Sequence, residues 1–561
     1  MVPASTIGHR SSCRRNRAGL VCLVALLVSF VAPISRAATA TLTVLHINDT
    51  HSHLDAVGPR DAALAGTVGG IARAATVIGR ERAADPNALL LHGGDLFQGD
   101  LFFNNYFGVP ELGLLAALGF DAMTVGNHEF DLGPDTLAGA LSEAYVNGGV
   151  PLLSANLDLS SYPALSPFIR PWLLREVAGV KVGIFGMTTP DDPMMRPDPV
   201  RVLGAGDPAT VLGIAGQQVA ELRAAGAQVV ICMSHLGYAY DQALAANVPG
   251  IDVVIGAHDH LELETPTEVA NPAGGTTYIV QAGCHYRNVG RLRLDVGPEG
   301  VHLHDYALLP VDASVEPAPE VQALVEQLKD GITARWGDVY DSAVATARKP
   351  VAKRLDRGAF RDSPMGDLVT DAFRSHTRTD IAITADGLIS EGLSQGRLVA
   401  ADVFRTVSYG YDVDTGLGLR LATFDITGAE LLRSLEITLG YLEVSDDFFI
   451  EVSGMRFAYD PQAPVGKRVI RSSVVVDGKR LRPSQTYSVT ADTGIVVLLP
   501  MIGVEVANLE LLPDLEYGVL LDHVRALKTL DGRNDGRIRE SFVFRDPRRG
   551  CKSLIDPRPM P

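Results

Sequence analysis

The chain has 561 residues, of which 46% are hydrophobic and 20% are charged. This length indicates two or more domains, and this composition excludes a disordered or fibrous chain. Acidic residues outnumber basic ones by 66 to 49, which gives a formal charge of −17. An acidic chain is poorly suited to holding a nucleic-acid backbone, so we expect no nucleic-acid polymer among its partners.

The N-terminus has the pattern of a secretory signal. Arg10, Arg14, Arg15 and Arg17 precede an apolar run at residues 19–31, and small residues follow around residues 35–40. We predict a signal peptide at residues 1–37, with an uncleaved anchor as the alternative, and a periplasmic or secreted mature chain. No later apolar run is long enough to span a membrane, so we expect no membrane span after cleavage. Loss of these residues removes five arginines and no acids, and brings the formal charge from −17 to −22.

Three cysteines remain in the mature chain, at Cys232, Cys284 and Cys551. An odd number cannot all pair, so a disulfide framework does not hold this fold together. A single bridge among the three stays open at this point.

Short apolar runs alternate with helical patterns in the first half of the chain. The runs predict strands at residues 42–47, 88–91, 122–125, 150–154, 180–186, 229–233 and 253–255, and apolar spacing predicts helices at 67–84, 110–118 and 208–225. Alternating strands and helices indicate a layered α/β domain, in which sites gather at the C-terminal ends of the strands.

Metal-binding residue types follow five of these strands. The set consists of Asp49 and His51, Asp95, Asn127 and His128, His235, and His258 and His260. Residues two apart in an extended segment point to the same face, so Asp49 and His51 can reach one point. One such residue is often only a turn residue, but the repetition at five strand ends predicts a shared site. Imidazole and oxygen ligands suit Zn, Mn or Fe(II).

The motifs NDTHSHLD, GGDLFQGD, GNHEFD, SHLG and GAHDH resemble the metal signature of calcineurin-like metallophosphoesterases, in the branch of secreted 5′-nucleotidases and UDP-sugar hydrolases. The resemblance implies a four-layer α/β/β/α sandwich at residues 41–308 that holds two divalent metal ions, Zn, Mn or similar, bridged by Asp95. By motif, one metal would take Asp49, His51 and His260, and the other Asn127, His235 and His258.

The resemblance also implies roles for two residues of GNHEFD. His128 would stabilise the transition state or the leaving group, and Asp131 would orient its ring. The alternative for Asp131 is a cap on the helix that follows.

The second half of the chain resembles the substrate-binding domain of the same family. A linker with a connecting helix is predicted at residues 309–343, with the helix near residues 320–336, then a second α/β domain at 344–545 and a tail at 546–561. The family segments are FRDSPMGDL at residues 360–368, ITGAELLRSL at 426–435 and SGMRFAYDP at 453–461.

The predicted substrate pocket departs from the family. Where members carry NGGGIR, residues 385–390 are ADGLIS, so the arginine is replaced by Ser390. Serine cannot replace a planar, two-pronged anion donor. Tyr409 can still offer a ring to a base, and Arg361 is a candidate substrate contact. The alternatives are a core position for Tyr409 and a surface salt bridge for Arg361.

The leading hypothesis is a secreted metal-dependent phosphoesterase that acts on a small phosphate ester, most simply a nucleotide, in the manner of a 5′-nucleotidase or UDP-sugar hydrolase. The altered pocket leaves other substrates open: a 2′,3′-cyclic nucleotide, a non-nucleotide phosphate, or a thiosulfohydrolase-type ester. A binding protein built on an inactive enzyme fold is a third reading, but no ligand of the metal set is missing. The sequence leaves the oligomeric state open.

Overall fold

The structure is a computed structural model of the chain, and it describes residues 39–190, 200–354, 361–442, 447–545 and 552–555. The predicted signal peptide, Cys551 and most of the predicted tail lie outside the described residues. Cys232 and Cys284 are both free, so they do not form a bridge with each other.

Strands and helices are numbered here in chain order. The first half of the chain contains β1 Ala40–Ile47, β2 Val57–Arg60, β3 Gly66–Val68, α1 Ile71–Ala84, β4 Leu89–His92, α2 Leu101–Tyr106, α3 Val109–Ala117, β5 Ala122–Thr124, α4 Pro134–Ala144, β6 Leu152–Leu153, β7 Leu157–Asp158, β8 Ile169–Arg170, β9 Trp172–Val177, β10 Val180–Thr188, β11 Arg201–Val202, α5 Pro208–Ala224, β12 Val229–His235, α6 Tyr238–Asn247, β13 Val253–Gly256, β14 Thr267–Ala270, β15 Thr276–Val280, β16 Asn288–Gly297 and β17 Gly300–Pro310.

The second half contains α7 Pro319–Trp336, β18 Ala343–Ala347, α8 Pro364–Thr377, β19 Ile381–Ala385, β20 Gly396–Val399, α9 Ala400–Thr406, β21 Arg420–Thr427, α10 Gly428–Tyr441, β22 Ile450–Ser453, β23 Met455–Tyr459, β24 Val475–Val476, β25 Lys479–Arg480, β26 Thr486–Asp492, α11 Thr493–Met501, β27 Ala507–Leu515, α12 Glu516–Leu527, β28 Thr529–Leu530, β29 Ile538–Glu540, β30 Phe542–Arg545 and β31 Lys552–Ile555.

Two large sheets form the first half. One has the strand order β17-β16-β1-β4-β5-β6-β8, and the other has the order β14-β15-β13-β12-β10-β9. In the first sheet β1, β4, β5, β6 and β8 run parallel, and in the second β10, β12, β13 and β15 do. Parallel strands place their C-terminal ends at one edge, and this edge carries the candidate site.

Three apolar layers separate four structural layers. Alternate residues of β1 illustrate the division: Leu42 and Val44 belong to the core between the two sheets, whereas Leu45 and Ile47 pack with α1 on the outer face. The outer face of the second sheet forms a further apolar layer with α5 and α6. Because successive side chains of a buried strand point to opposite faces, one strand contributes apolar side chains to the cores on both faces of the sheet. The predicted four-layer α/β/β/α sandwich is confirmed.

The second half is a further α/β unit built on a five-stranded sheet with the order β22-β19-β26-β21-β27. Its outer apolar cluster includes Leu435 of α10 and Val489 of β26. Its inner helices share a core with the first half, because Ile332 of α7 and Phe404 of α9 lie in the same apolar cluster as Leu45. This two-domain α/β architecture agrees with the predicted fold class.

The predicted elements differ from the structure mainly at their ends. The first helix begins at Ile71 rather than near residue 67, because Gly66–Val68 pairs as β3 with β2. The hairpin of β16 and β17 follows the last predicted strand, and β16 pairs antiparallel with β1. Within the described part of the chain, no helix combines the length and apolarity needed to cross a membrane.

Candidate functional site

The predicted ligand residues meet where β1, β4, β5, β12 and β13 end. Strand β1 leads into Asp49 and His51, β4 into Asp95 and β5 into Asn127. His235 is the last residue of β12, and β13 leads into His258 and His260. The structure thus brings all seven predicted metal ligands to one buried edge of the sandwich.

The first cluster consists of Asp49, His51 and His260, whose ligand atoms all lie within 4.8 Å of one another. The Nε2 atoms of His51 and His260 face each other at 3.0 Å. The Nδ1 atom of His51 lies 3.3 and 3.2 Å from the carbonyl oxygens of Phe97 and Gln98. A carbonyl only accepts, so Nδ1 of His51 carries the hydrogen and its Nε2 lone pair points into the cluster.

The second cluster consists of Asp95, His235 and His258, again with ligand atoms within 4.8 Å of one another. The Nδ1 atom of His235 lies 2.8 Å from the carbonyl oxygen of Gly93, which assigns the hydrogen to Nδ1. Its Nε2 atom lies 3.0 Å from Oδ2 of Asp95 and 3.2 Å from Oδ1 of Asn127. Asp95 also lies 3.8 Å from Nε2 of His51, so its carboxylate stands between the two clusters.

In each cluster, therefore, the lone pairs of the ligand atoms point toward a common centre. Imidazole nitrogens and carboxylate oxygens in a buried space repel unless a positive charge lies between them. The donor types, the fixed ring tautomers and the bridging position of Asp95 fit divalent metal ions of the Zn or Mn kind.

The pKa of His235 indicates that the surrounding carboxylates stabilise a positive charge at this position. Burial disfavours the charged ring, but the carboxylates of Asp95 and Asp49 outweigh burial and raise the pKa of His235 to about 10. Burial lowers the pKa of His51 to about 3, so that ring is neutral and able to act as a ligand. Protons and metal ions thus compete for the same lone pairs at His235.

The backbone at the site adopts strained conformations. Five of the seven predicted ligands have φ in the left-handed region: Asp49 at 50°, His51 at 48°, Asp95 at 53°, His258 at 80° and His260 at 59°. Asp and His tolerate this region better than most residues, but each such residue costs roughly 1–3 kcal/mol and persists only where its surroundings hold it. The loops are thus shaped to point these side chains inward.

Glu129 holds two of these loops together. Its buried carboxylate accepts hydrogen bonds from the backbone N–H groups of Leu96 at 2.7 Å and Gly126 at 2.6 Å, and from that of Asp95 at 3.2 Å. A Cβ on Gly126 would lie 2.1 Å from Oδ1 of Asp95, so the loop after β5 can approach the bridging carboxylate only with glycine. The sequence interpretation gave Glu129 no role, although it lies inside GNHEFD.

His128 and Asp131 form a hydrogen-bonded pair at the rim of the clusters. The His128 Nδ1–H group donates to Oδ2 of Asp131 at 2.7 Å, and the His128 backbone N–H donates to Oδ1 of Asp95 at 3.0 Å. Burial opposes a charged ring, but the carboxylates of Asp131 and Asp95 prevail and raise the pKa of His128 well above its usual value. An imidazolium therefore stands beside the clusters with its other N–H group available for donation.

The second half of the chain covers this rim. The ring of Tyr409 stacks on the ring of His128 with centroids 5.4 Å apart and planes 19° apart. Ser408 accepts a hydrogen bond from Gln98 through its carbonyl, and its hydroxyl pairs with that of Ser390 at 2.8 Å. Ser390 and Tyr409, which sequence reasoning singled out, thus lie beside the metal-ligand loops.

Arg361 belongs to the second half of the chain. Its charge acts on the buried Tyr459 in the outer part of the second half. The contact of Arg361 with substrate stays a prediction.

Sequence reasoning also missed a group beside the first cluster. His53, His285 and Glu391 bring their ligand atoms within 4.8 Å of one another. His53 lies in NDTHSHLD, two residues after a predicted ligand, so its spacing could have drawn attention. Nothing in the sequence connects it to His285 and Glu391, which are distant along the chain.

Two family models match the chain. Residues 42–262 match calcineurin-like phosphoesterase, and residues 343–496 match the 5′-nucleotidase C-terminal domain. The matches coincide with the layered half that holds the clusters and with the half that covers them.

Individual relatives agree with the models. The chain is 27% identical over 542 residues to the trifunctional nucleotide phosphoesterase protein YfkN of Bacillus subtilis (strain 168), a match that covers 90% of this chain and 35% of that protein, so the chain spans about a third of this relative. It is 27% identical over 550 residues to the human 5′-nucleotidase, with 89% of this chain and 91% of that protein covered.

A solved structure is also similar over both halves. The crystal structure of a 5′-nucleotidase precursor from Thermus thermophilus is 30% identical with a TM-score of 0.77, and the match covers 89% of this chain and 99% of that one.

Proposed function

We propose a specific activity on the premise that the chain belongs to the family of calcineurin-like phosphoesterases with a 5′-nucleotidase C-terminal domain, and is thereby a metal-dependent phosphoric ester hydrolase. The proposed activity is that of a dinuclear enzyme that releases phosphate from a small phosphate ester, most simply a 5′-nucleotide. The observation that carries the proposal is the convergence of two lone-pair clusters on Asp95 with the His128–Asp131 pair at their rim. An exported, periplasmic or secreted location follows from the N-terminal sequence pattern.

Each residue of the clusters has a place in this proposal. Asp49, His51 and His260 hold one divalent ion, and Asn127, His235 and His258 hold the other. Asp95, which lies between the clusters, belongs to both. Two ions held this way would polarise the phosphoryl oxygens and lower the pKa of a water.

The protein's own part in the reaction is centred on His128. In the hydrolysis, an oxygen of water bonds to phosphorus as the ester P–O bond breaks, and negative charge develops on the leaving oxygen. The His128 imidazolium donates its free N–H group to that oxygen, and Asp131 keeps the ring charged and oriented through the 2.7 Å hydrogen bond. Glu129 keeps the loops of Asp95 and His128 in register through its backbone hydrogen bonds.

The position of Tyr409 supports a leaving group that departs between the two halves. Its ring lies against His128, so a leaving group that departs toward His128 meets an aromatic face. A nucleoside base or an aryl group would both fit this chemistry.

A second candidate within the same family is a hydrolase for another phosphate ester or a thiosulfate-type ester. The observation that favours it is Ser390, whose hydroxyl pairs with that of Ser408 at the position where the family resemblance implies an arginine. Without that cation, part of the binding energy for a nucleotide has to come from elsewhere.

A panel of substrates tests the proposal. Phosphate release is measured from AMP, UDP-glucose, 2′,3′-cyclic AMP and an aryl phosphate, with Asp95→Asn as the inactive control. We expect kcat/KM to be highest for AMP and turnover to disappear in the control. Turnover of the aryl phosphate alone would refute the nucleotidase assignment, and turnover by the Asp95→Asn protein would refute the site.

A further inference from the structure

A third group of ligand atoms lies beside the two clusters and outside the proposed catalytic set. It consists of His53 and His285 from the first half and Glu391 from the second half. The side chains of His53 and His285 are 2% and 8% exposed, and that of Glu391 is 16% exposed. The three are therefore shielded from bulk water although they come from distant parts of the chain.

The ring nitrogens that face Glu391 have no hydrogen-bond partner. Nε2 of His53 and Nδ1 of His285 are both buried and unpartnered within the described structure. They lie 3.7 and 3.5 Å from the two carboxylate oxygens of Glu391. Such distances are too long for N–H···O hydrogen bonds. Two ligands of a tetrahedral Zn ion, each at about 2.0–2.1 Å, are separated by roughly 3.4 Å.

The tautomer of His53 strengthens this geometry. Its Nδ1 atom lies 2.7 Å from the carbonyl oxygen of His51, so Nδ1 carries the hydrogen and Nε2 offers a lone pair. That lone pair faces a carboxylate. His51 and His235 in the two clusters have the same arrangement: Nδ1 faces a backbone carbonyl, and Nε2 faces the carboxylate of Asp95 at 3.8 and 3.0 Å.

The backbone conformation of His285 is shared with most of the predicted ligands. Its φ of 55° lies in the left-handed region, as do those of five predicted metal ligands.

We propose that His53, His285 and Glu391 form a third cation site, which takes a transition-metal ion such as Zn²⁺ and links the two halves of the chain next to the catalytic clusters. Two imidazoles and one carboxylate are typical ligands for Zn²⁺ and leave a fourth position for water. The rings of His53 and His285 now stack with centroids 3.8 Å apart and planes 10° apart. The lone pairs of the two parallel rings lie in parallel planes and do not meet at one point, so the bound ion turns one ring out of the stack.

The test uses the full-length mature chain loaded with Zn²⁺ and freed of excess ion by gel filtration. Metal per chain is measured for the wild type, for Glu391→Gln and for His285→Asn, since Asn tolerates the left-handed backbone at this position. The control is His304→Gln, which replaces an exposed histidine of β17 that pairs with Asp295 of β16 and is not part of the three-residue group. We expect the wild type and the control to hold one more Zn²⁺ per chain than the two site variants.

Wild-type crystals give a second measurement that does not depend on the folding of any variant. An anomalous difference map at the zinc edge is expected to show a peak within about 2.0–2.2 Å of the facing nitrogens of His53 and His285. Equal zinc content in the wild type and Glu391→Gln, or no peak at this position, would overturn the proposal. The site does not depend on the substrate, so a wild type that hydrolyses no nucleotide but keeps the extra ion would refute only the proposed function.

Discussion

Arg405 is the buried cation that fixes the second half of the chain on the first. It lies on α9, three residues before Ser408, and its Nε–H group donates to Oδ2 of Asp100 at 2.5 Å. Its Nη1 group donates to Asp402 at 2.9 Å, and Asp402 in turn receives two hydrogen bonds from Arg60, at 2.7 and 2.6 Å. The side chains of Arg405 and Asp100 are 1% and 0% exposed. The Arg405→Met variant keeps a long, unbranched side chain and removes its charge.

The magnitude follows from the burial. Loss of Arg405 leaves Asp402 paired with Arg60 but leaves the carboxylate of Asp100 without its cation. Breaking a buried pair costs about 3–5 kcal/mol because the remaining charge is uncompensated. Oδ1 of Asp100 and Nη2 of Arg405 make no hydrogen bond within the described residues, so the pair is not fully satisfied and we expect the lower end, about 3 kcal/mol.

A double-mutant cycle in urea measures this energy. The proteins are the wild type, Arg405→Met, Asp100→Asn and the double variant, and the control is Arg348→Met, whose pair with Asp531 is 3.4 Å long and 70% and 54% exposed. We expect the double variant to recover at least about half of the loss, because no charge is left buried. The control should lose at most about 1 kcal/mol. A loss for Arg405→Met no larger than that of the control, or single losses that simply add in the double variant, would refute the reasoning.

Four further outcomes concern the site. His128→Ala should lower kcat by about 10²–10⁴-fold with unchanged metal content, and unchanged turnover would remove this residue from the mechanism. Asp131→Asn should move the alkaline limb of the pH–rate profile to lower pH, because the lost carboxylate no longer raises the pKa of His128; an unmoved limb would contradict this. Metal affinity measured by titration should fall as pH falls, because protons compete with the metal for the ring of His235, whose pKa is raised to about 10. A pH-independent affinity would count against His235 as a ligand. Gly126→Ala should reduce metal content, because its Cβ would lie 2.1 Å from Oδ1 of Asp95, and full metal content would show that the loop can move.

The predicted sites differ in how well the sequence located them. The predicted metal ligands lie at or directly after strand ends, so the strand pattern and the motif spacing were enough to predict that Asp49, Asp95 and His235 lie close together. Arg361 was selected by its motif alone; its charge acts on the buried Tyr459, and its contact with substrate stays a prediction. A motif names a residue type at a position on the chain, but the direction of a long side chain is decided by what packs around it.

Local sequence patterns were sufficient to predict the layered α/β fold, the strand ends that carry the ligands and the family to which the chain belongs. These features depend on periodicity and on short spacings along one chain segment. The folded chain was needed to show that Tyr409 covers His128, that Arg405 lies buried against Asp100, and that Glu391 reaches His53 and His285. Each of these contacts joins residues that are far apart along the chain, and such contacts form only when the two halves bury a common apolar core.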